Sequence, residues 1–549
     1  MGNSHPFLGT HDRTLMKNSV KLGAVVAAVA VAVSGGVAYS ASLKPNYILP
    51  VASGVSIKPI AYSGDKITST VVRGIPDGMG AYKNAAGDIT LLSVHEIPSY
   101  SPLAQLSKSS TSQWGVSITE FNYAPKTGRI TSAKNFIQDI KYYNYNTGAY
   151  GDTPIGGAPA GTTKGMDWNI SRFCSATLVQ AGNLAFKDGA TTYGYEGGVF
   201  LSGEEDGDSG YGRGFAFDMD GHGIQLPRMG LASWENLMPN LKPGINTVVM
   251  GNEDGSSTDS QLFMYVGKKT TSGTFADKAG LTNGDVHVMS IPDIANDNAF
   301  RAKYGKNNPV AVDFKKTIWN ADMATQQKDH AEKGTEMTRV EDGEWDAANP
   351  NVFYFITTES NKDAGATKAN PAEPGIARDG GALWRLTFVD GQKPELGAKL
   401  ELLLDGSEAP YLSKPDNLSL TSNGIVMIQE DPGNNAHVSR IVAFRLSDKK
   451  IAVVAEFNKE YFAADAAQFM TIDEESSGII DVTKLLAKSD DKNTYFFFNA
   501  QVHTTGGAIA RPDLPSKSAP RKLAIDKATI EGGAYYLMTI SDWNAVFSN

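Results

Sequence analysis

One cysteine and several clusters of carboxylates are the residues of this sequence that could do chemistry. Cys174 is the only cysteine among 549 residues, and the segment 171–205 that contains it runs into the acidic stretch 204–208, Glu-Glu-Asp-Gly-Asp. A thiolate is a soft metal ligand, whereas carboxylate oxygens are hard ligands. Both kinds of ligand on one segment indicate metal binding. As a ligand, Cys174 would select iron, zinc or copper over calcium; the alternative is a buried cysteine that only fills space.

Carboxylates also follow apolar runs that are typical of strands. Four such runs end at Glu96, at Glu204 and Glu205, at Glu253 and Asp254, and at Glu430 and Asp431. In a radial array of sheets, equivalent strands end at the same side, so these acids would meet and repel one another unless cations neutralise them. The alternative is that each is a solvated turn residue. Further acidic candidates in turns are Glu341, Asp342, Asp416 and Glu474.

Several kinds of site are excluded by what the sequence lacks. It has no His-Glu-x-x-His pattern, no cysteine pair, no P-loop and no Gly-x-Ser-x-Gly elbow, which argues against standard zinc sites, nucleotide hydrolysis and serine esterases. The chain carries 60 acidic and 50 basic residues, a net charge of −10, and no basic stripe. A nucleic-acid partner is therefore not expected.

Arg385 stands in the middle of an apolar run, 381–386, where a charge is uncommon. Its guanidinium fork suits a phosphate or carboxylate at the mouth of a channel. The alternative is an arginine that points outward from a strand.

The elements that must position these residues are short and rich in Val, Ile, Phe and Tyr, which favours strands. Such runs are 89–94, 247–250, 352–356, 383–388, 425–428, 451–454, 495–498 and 535–538. They predict an all-β protein, and we expect a β-propeller of about six blades with small helical insertions. Residues 42–549 would form this single domain, with an insertion around 301–339 that holds a helix at 321–332.

The N-terminal residues 1–41 resemble an extension followed by a secretory signal. A short basic region from Met16 precedes the apolar run 22–33, and cleavage fits between Ser40 and Ser42. We therefore expect a periplasmic or secreted protein; the alternative is a retained membrane anchor, for which the apolar run is short.

Taken in order, these residues resemble the PhoX family of exported bacterial phosphatases, over most of the chain beyond residue 41. The motifs are His95-Glu96, Cys174 with Glu204-Glu205, Trp234-Glu235, the stretch 250–254, the stretch 339–345, and Asp416-Asn417-Leu418. The resemblance implies a β-propeller with Fe³⁺ and Ca²⁺ as cofactors, Glu235 as a further ligand, and Arg385 as the arginine that contacts phosphate. Thr387 stands where the family has a carboxylate, and no twin-arginine signal is present.

The function implied is an exported metal-dependent phosphatase that acts on small phosphate esters, as a monomer without an obligate protein partner. Two alternatives stay open at this point. One is a calcium-binding propeller that binds ligands at the surface without catalysis, and the other is a calcium propeller that hydrolyses a lactone or carboxyl ester.

Overall fold

Strands dominate the molecule because branched and aromatic side chains pack well on a pleated surface. The computed structural model describes residues 44–97, 116–154, 156–163, 165–166, 169–205, 211–255, 260–358, 381–431, 437–503 and 529–548. All eight apolar runs predicted to be strands lie within strands. The prediction of a mostly β protein is thus confirmed.

The described strands form six four-stranded antiparallel units, and four strands precede the first unit along the chain. These four are β1 (Ile48–Pro50), β2 (Val55–Tyr62), β3 (Lys66–Ile67) and β4 (Thr70–Val71). Unit 1 contains β5 (Pro76–Lys83), β6 (Ile89–His95), β7 (Ser117–Ala124) and β8 (Arg129–Asn135).

Unit 2 carries additional strands at its edge and a hairpin between its first two strands. Before it come β9 (Asp139–Asn144) and β10 (Ala149–Gly151), which extend its sheet. Its strands are β11 (Phe173–Val179), β14 (Val199–Glu204), β15 (Gly214–Asp218) and β16 (His222–Gln225), and the hairpin is β12 (Leu184–Asp188) with β13 (Thr191–Tyr195).

Units 3 and 4 are joined into one nine-stranded sheet by an intervening strand, β21. Unit 3 contains β17 (Trp234–Pro239), β18 (Asn246–Glu253), β19 (Leu262–Lys268) and β20 (Asp285–Ser290), and β21 (Val310–Lys316) follows. Unit 4 contains β22 (Val340–Trp345), β23 (Val352–Thr357), β24 (Ala382–Phe388) and β25 (Ala398–Leu404).

Units 5 and 6 each include a strand from the start of the chain. Unit 5 contains β26 (Pro415–Leu420), β27 (Ile425–Glu430), β28 (Arg440–Arg445) and β29 (Lys450–Phe457), with β1 at its edge. Unit 6 contains β30 (Glu474–Asp481), β31 (Thr494–Val502) and β32 (Gly532–Ile540), with β2 as its fourth strand. The two ends of the described chain are therefore joined in one sheet.

The first strand of each unit, called here the inner strand, contacts the inner strands of two other units. The contacts follow the cyclic order β5, β11, β17, β22, β26, β30 and return from β30 to β5. Six of the hydrophobic clusters formed by the described residues follow the same order, because each draws its side chains from two neighbouring units. The core is thus divided among the interfaces between units.

Helices are few and short among the described residues. They are α1 (Phe275–Lys278), α2 (Asp297–Tyr304), α3 (Met323–Lys333), α4 (Lys459–Phe462), α5 (Thr483–Leu486) and α6 (Trp543–Val546), with 3₁₀ turns at Pro227–Met229 and Pro394–Leu396. The helix predicted at 321–332 is confirmed as α3, whose first turn is capped by Asp322 through a hydrogen bond from Thr325 N at 3.0 Å. The predicted insertion, 301–339, contains α3 and the bridging strand β21.

The predicted signal sequence lies outside the described residues. Within the described part of the chain, none of the helices combines the length and the apolar character that a membrane span requires.

Unit 6 depends on the packing of β31 between β30 and β32. Phe498 is fully buried, and its ring stacks on that of Tyr536 with centroids 5.1 Å apart. We expect Phe498→Leu to lower the free energy of unfolding by about 2 kcal/mol, from lost apolar contact and lost stacking. Urea denaturation measures this, with Val389→Ala, at a side chain 68% exposed, as the control. Equal midpoints for the two variants would contradict this packing.

Candidate metal centre

Each inner strand carries a potential metal ligand at its second residue. All six side chains are buried, and five are carboxylates, whereas the sixth is the thiol. In chain order they are Asp77, Cys174, Glu235, Glu341, Asp416 and Glu475. Because the inner strand recurs six times in a cyclic order of contacts, its second residue supplies six potential ligands in the same cyclic order.

A β-bulge aims most of these side chains. In units 1 to 5 the register between the inner strand and its neighbour shifts at or directly after the ligand, whereas in unit 6 the shift lies between Ser477 and Ile480. A bulge inserts an extra residue, bends its strand and redirects a side chain. The intervals of units 1 to 5 are Pro76/Met79, Phe173/Ala176, Trp234/Asn236, Val340/Gly343 and Pro415/Leu418.

The second strand of each unit adds another side chain at the same end. In every unit, the N–H of the residue that follows the second strand donates to the carbonyl of the residue that precedes the inner strand, at 2.9–3.0 Å. The six pairs are Glu96–Ile75, Glu205–Arg172, Asp254–Ser233, Thr358–Arg339, Asp431–Lys414 and His503–Asp473. This hydrogen bond fixes both residues at one end of the unit.

Side chains from three positions line a cavity of about 150 Å³: the second residue of the inner strand and the two residues that this hydrogen bond joins. Eight carboxylates line it, together with two arginines, Cys174 and His503. The carboxylates are those of Glu96, Glu205, Glu235, Asp254, Asp416, Asp431, Asp473 and Glu475, and the arginines are Arg172 and Arg339. The excess of acids predicts that cations are needed here.

The donor groups are close enough to share cations. Three triads have all their ligand atoms within 4.8 Å of one another. They are Asp77–Glu96–Cys174, Cys174–Glu205–Glu235 and Asp77–Glu235–Asp416. Because Cys174 belongs to two triads, soft and hard ligands meet at one point, as the sequence predicts.

Several acceptor oxygens at the site are buried without a donor. They are Asp77 Oδ1, both carboxylate oxygens of Glu235, Glu341 Oε2 and Asp416 Oδ1. A buried polar atom without a partner costs about 1–3 kcal/mol, and more when it is charged. Metal cations would satisfy these oxygens, so the residues present fit a cluster of cations.

The pKa values show the same crowding. Burial, followed by repulsion from neighbouring carboxylates, raises the pKa of both Glu235 and Glu475 to about 8. The pKa values of Asp77 and Asp416 lie well above their usual range for the same two reasons. Burial also raises the pKa of the Cys174 thiol, which donates to Asp77 Oδ2 at 3.2 Å.

Arg172 and Arg339 are the two arginines of the cavity, and each directly precedes an inner strand. Arg172 pairs with Glu205, and its Nη1 lies 3.3 Å from Glu96 Oε2. Arg339 binds both oxygens of Asp254, at 2.7 and 2.6 Å. Their side chains are 39% and 28% exposed, so both arginines are partly in contact with solvent, whereas the side chains of Glu205 and Asp254 are buried.

Seven of the residues predicted from the sequence to bind metal line this cavity, and an eighth adjoins it. The seven are Glu96, Cys174, Glu205, Glu235, Asp254, Asp416 and Asp431. Glu341 adjoins it, because its Oε1 lies 3.3 Å from Arg339 Nη2.

Four other predicted ligands face away from the cavity, each one residue before a residue that lines it. Successive side chains of a strand point to opposite faces, so a shift of one residue changes the face. Glu253 accepts from Gln261 N at 2.9 Å and Glu474 from Ser439 N at 3.0 Å. Glu204 and Glu430 pair with Arg213 and Arg440.

Asp342 and Arg385 also lie elsewhere. Asp342 accepts from Asn236 Nδ2 and Gly343 N, both at 2.7 Å, and so ties neighbouring inner strands together. Arg385 lies on β24, the third strand of unit 4, where it pairs with Glu401 outside the cavity. The mid-strand charge is thus paired within its own sheet, and the arginines that line the cavity are Arg172 and Arg339.

Six residues of the site were not singled out as ligands or phosphate contacts from the sequence. They are Asp77, Arg172, Arg339, Asp473, Glu475 and His503. A signal for Asp77 exists, because Pro76-Asp77-Gly78 matches Pro415-Asp416-Asn417 in type and position. Glu475 was missed by one residue, since two acids in succession do not reveal which one faces inward.

Comparison with known proteins gives one family. The family model described as alkaline phosphatase PhoX matches residues 203–483, more than half of the 549 residues. None of the curated proteins matches the chain.

Among solved structures, the chain resembles Pseudomonas fluorescens PhoX in complex with vanadate, a transition state analogue. The TM-score is 0.57 at 12% identity, over 92% of this chain and 99% of that one, which shows a similar fold. A luciferin-regenerating enzyme also matches, with a TM-score of 0.30 at 9% identity over 88% of this chain and 95% of that one.

The raised pKa values predict how pH affects the metal-free protein. Glu235 and Glu475 have an ordinary pKa of 4.5 and a folded-state pKa of about 8, so the folded chain binds more protons between these values. Its stability should therefore fall as the pH rises from about 5 to about 8. Urea midpoints in the presence of a chelator test this, and added calcium and iron should flatten the dependence. A midpoint that rises with pH over this range would contradict it, and Glu235→Gln should reduce the slope.

Proposed function

Because this chain belongs to the alkaline phosphatase PhoX family and is a phosphatase, we propose that it hydrolyses small phosphate esters at the cavity between its inner strands. The observation that carries this proposal is the position of the single thiol. Cys174 lies within 4.8 Å of ligand oxygens from Asp77, Glu96, Glu205 and Glu235. Such a mixture of donors suits a mixed iron and calcium centre, with Cys174 on the iron.

The carboxylates of separate units would hold the cations, and calcium would take the sites made of oxygens alone. Asp77, Glu235 and Asp416 form such a site, whereas the two other triads include the thiol. When bound, these cations supply Lewis-acid stabilisation of charge on phosphate oxygens.

Arg172 and Arg339 would bind and orient the phosphate group. Each presents a planar fork of N–H donors that matches a phosphate in a bidentate manner. Both are held by carboxylates, Arg172 by Glu205 and Arg339 by Asp254, so their positions are set before substrate enters. Preorganised donors stabilise developing charge without reorganisation during the reaction.

The fold proposed is a six-bladed β-propeller, in which the six units are the blades and β2 completes the last one. The cyclic contacts of the inner strands and the six interfacial clusters support this architecture. We further propose that residues 42–549 form a single domain and that the protein is exported to the periplasm or secreted, as a monomer.

The metal centre is tested by Cys174→Ser and Glu205→Ala. Both variants should lose release of nitrophenol from its phosphate ester, because each removes a ligand shared by the centre. Metal analysis should find iron and calcium in the unaltered protein, and less iron in Cys174→Ser. Val389→Ala, at an exposed site, should change neither quantity. Full activity in both ligand variants would refute the proposed site.

The role of the arginines is tested by Arg339→Gln and Arg172→Gln. Each should reduce kcat/KM by about 10- to 100-fold, as expected for loss of a charge-assisted hydrogen bond. Arg339→Lys should restore only part of it, because an ammonium lacks the planar fork.

The matched control is Arg385→Gln, which also breaks an arginine–glutamate pair but lies outside the cavity. It should leave kcat/KM unchanged. A loss of kcat/KM confined to Arg385→Gln would instead support Arg385 as the residue that contacts phosphate, as predicted from the sequence.

A further inference from the structure

Two glutamates that face away from the cavity share three equivalent hydrogen bonds. They are Glu204 in unit 2 and Glu430 in unit 5, each the last residue of a second strand. We propose that Glu204 with Arg213 and Glu430 with Arg440 are two copies of one positioning device, which sets the ligands and basic side chains at the start of the inner strands. This inference rests on the proposed function, because it assigns residues that act on the same centre.

The first copy is fully buried. Arg213 Nε donates to Glu204 Oε2 at 2.7 Å, and Arg213 Nη2 donates to Oε1 at 2.9 Å. The N–H of Ser171 donates to Glu204 Oε1 at 2.9 Å. One carboxylate thus joins the start of the third strand to the segment that leads into β11.

The second copy repeats these contacts atom for atom. Arg440 Nε donates to Glu430 Oε2 at 2.8 Å, and Arg440 Nη2 donates to Oε1 at 2.6 Å. The N–H of Ser413 donates to Glu430 Oε1 at 2.8 Å. Ser171 and Ser413 occupy equivalent places, each two residues before an inner strand.

The position of these serines explains what the device controls. Ser171 is followed by Arg172 and, three residues on, by Cys174, whereas Ser413 is followed by Lys414 and then by Asp416. Each glutamate side chain therefore holds the segment that leads into an inner strand. The residue after the glutamate, Glu205 or Asp431, holds the same segment, because its N–H donates to the carbonyl of Arg172 or Lys414.

Unit 1 makes an equivalent link with a histidine in place of the glutamate. His95 ends its second strand, and its Nδ1 lies 2.9 Å from the carbonyl oxygen of Gly74, two residues before β5. Its Nε2 lies 2.8 Å from Thr119 Oγ1 on the third strand. A link from the end of the second strand to both neighbours therefore recurs in units 1, 2 and 5.

A buried pair of this kind is a weak source of stability but a strong constraint on geometry. Desolvation of the two charges offsets most of their attraction, while removal of one partner leaves a buried charge without compensation. Groups that orient metal ligands from behind typically change metal affinity or activity by about 10- to 100-fold when they are altered.

The experiment compares two substitutions at each site. Glu204→Gln and Glu430→Gln keep a carbonyl oxygen for the serine N–H, whereas Glu204→Met and Glu430→Met keep the length and lose both acceptors. Iron and calcium affinity, kcat and KM on nitrophenyl phosphate, and amide hydrogen exchange over 169–175 and 412–417 are measured for all four.

We expect the Met variants to lose about 10- to 100-fold in metal affinity or kcat, with the Gln variants between them and the unaltered protein. Glu204→Met should chiefly weaken iron, since Ser171 leads to the thiol, and Glu430→Met should chiefly weaken calcium. Exchange should become faster only over the matching segment, 169–175 or 412–417.

Phe498→Leu serves as the control for lost stability alone, because its ring lies in the core of units 5 and 6. At urea concentrations below its unfolding midpoint, this variant should retain the metal affinity and the kcat of the unaltered protein. Met variants that match Phe498→Leu in metal affinity and kcat would overturn the inference. If the Met variants do not fold, the same comparison applies to the Gln variants.

The two proposals fail in different ways. A protein that binds iron and calcium but hydrolyses no phosphate ester refutes the proposed function, and metal affinity in the variants then still decides the positioning role.

Discussion

The constraint on which the structure depends is the repulsion among carboxylates that are buried at one place. Eight of them face two arginines in a cavity of about 150 Å³. Burial alone disfavours the charged form of each carboxyl, and neighbouring acids add to that cost. Glu235, with both oxygens buried and without a donor, is the clearest instance. Such a cluster is tolerated in a folded protein when cations complete it, which is why a metal centre accounts for the site better than a set of solvated turns.

The fold meets this constraint by repetition. One hydrogen bond, from the residue after each second strand to the residue before each inner strand, recurs in all six units. It holds twelve backbone positions at one end of the molecule, and a bulge in units 1 to 5 then redirects the ligand. Rigid strands thus place the ligands, which gives better geometric precision than loops would.

The six units share one backbone arrangement but differ in the side chains that they place at the cavity. Unit 2 supplies a thiol where the other units supply a carboxylate, and units 2 and 4 supply arginines just before their inner strands. Thr358 and His503 replace an acid after the second strands of units 4 and 6. The cavity therefore combines one thiol and basic groups with its carboxylates, and the six units contribute unequally to it.

The sequence by itself determined the strands, the helix α3 and the identity of the acidic segments, because these follow from local patterns of side chains. It also indicated that Cys174 shares a site with Glu205 and Asp254, because acids that follow several buried strands must meet at one end of a radial array. It did not decide which member of an acidic pair faces the cavity. The sequence predicts both Glu204 and Glu205 as ligands, but only Glu205 faces the cavity, and it predicts Glu474 where Glu475 faces the cavity. That choice depends on bulges and strand register, which arise from pairing between distant segments. Arg385 shows the same limit, because only tertiary structure reveals that Glu401 lies across the sheet and that Arg172 and Arg339 reach the cavity.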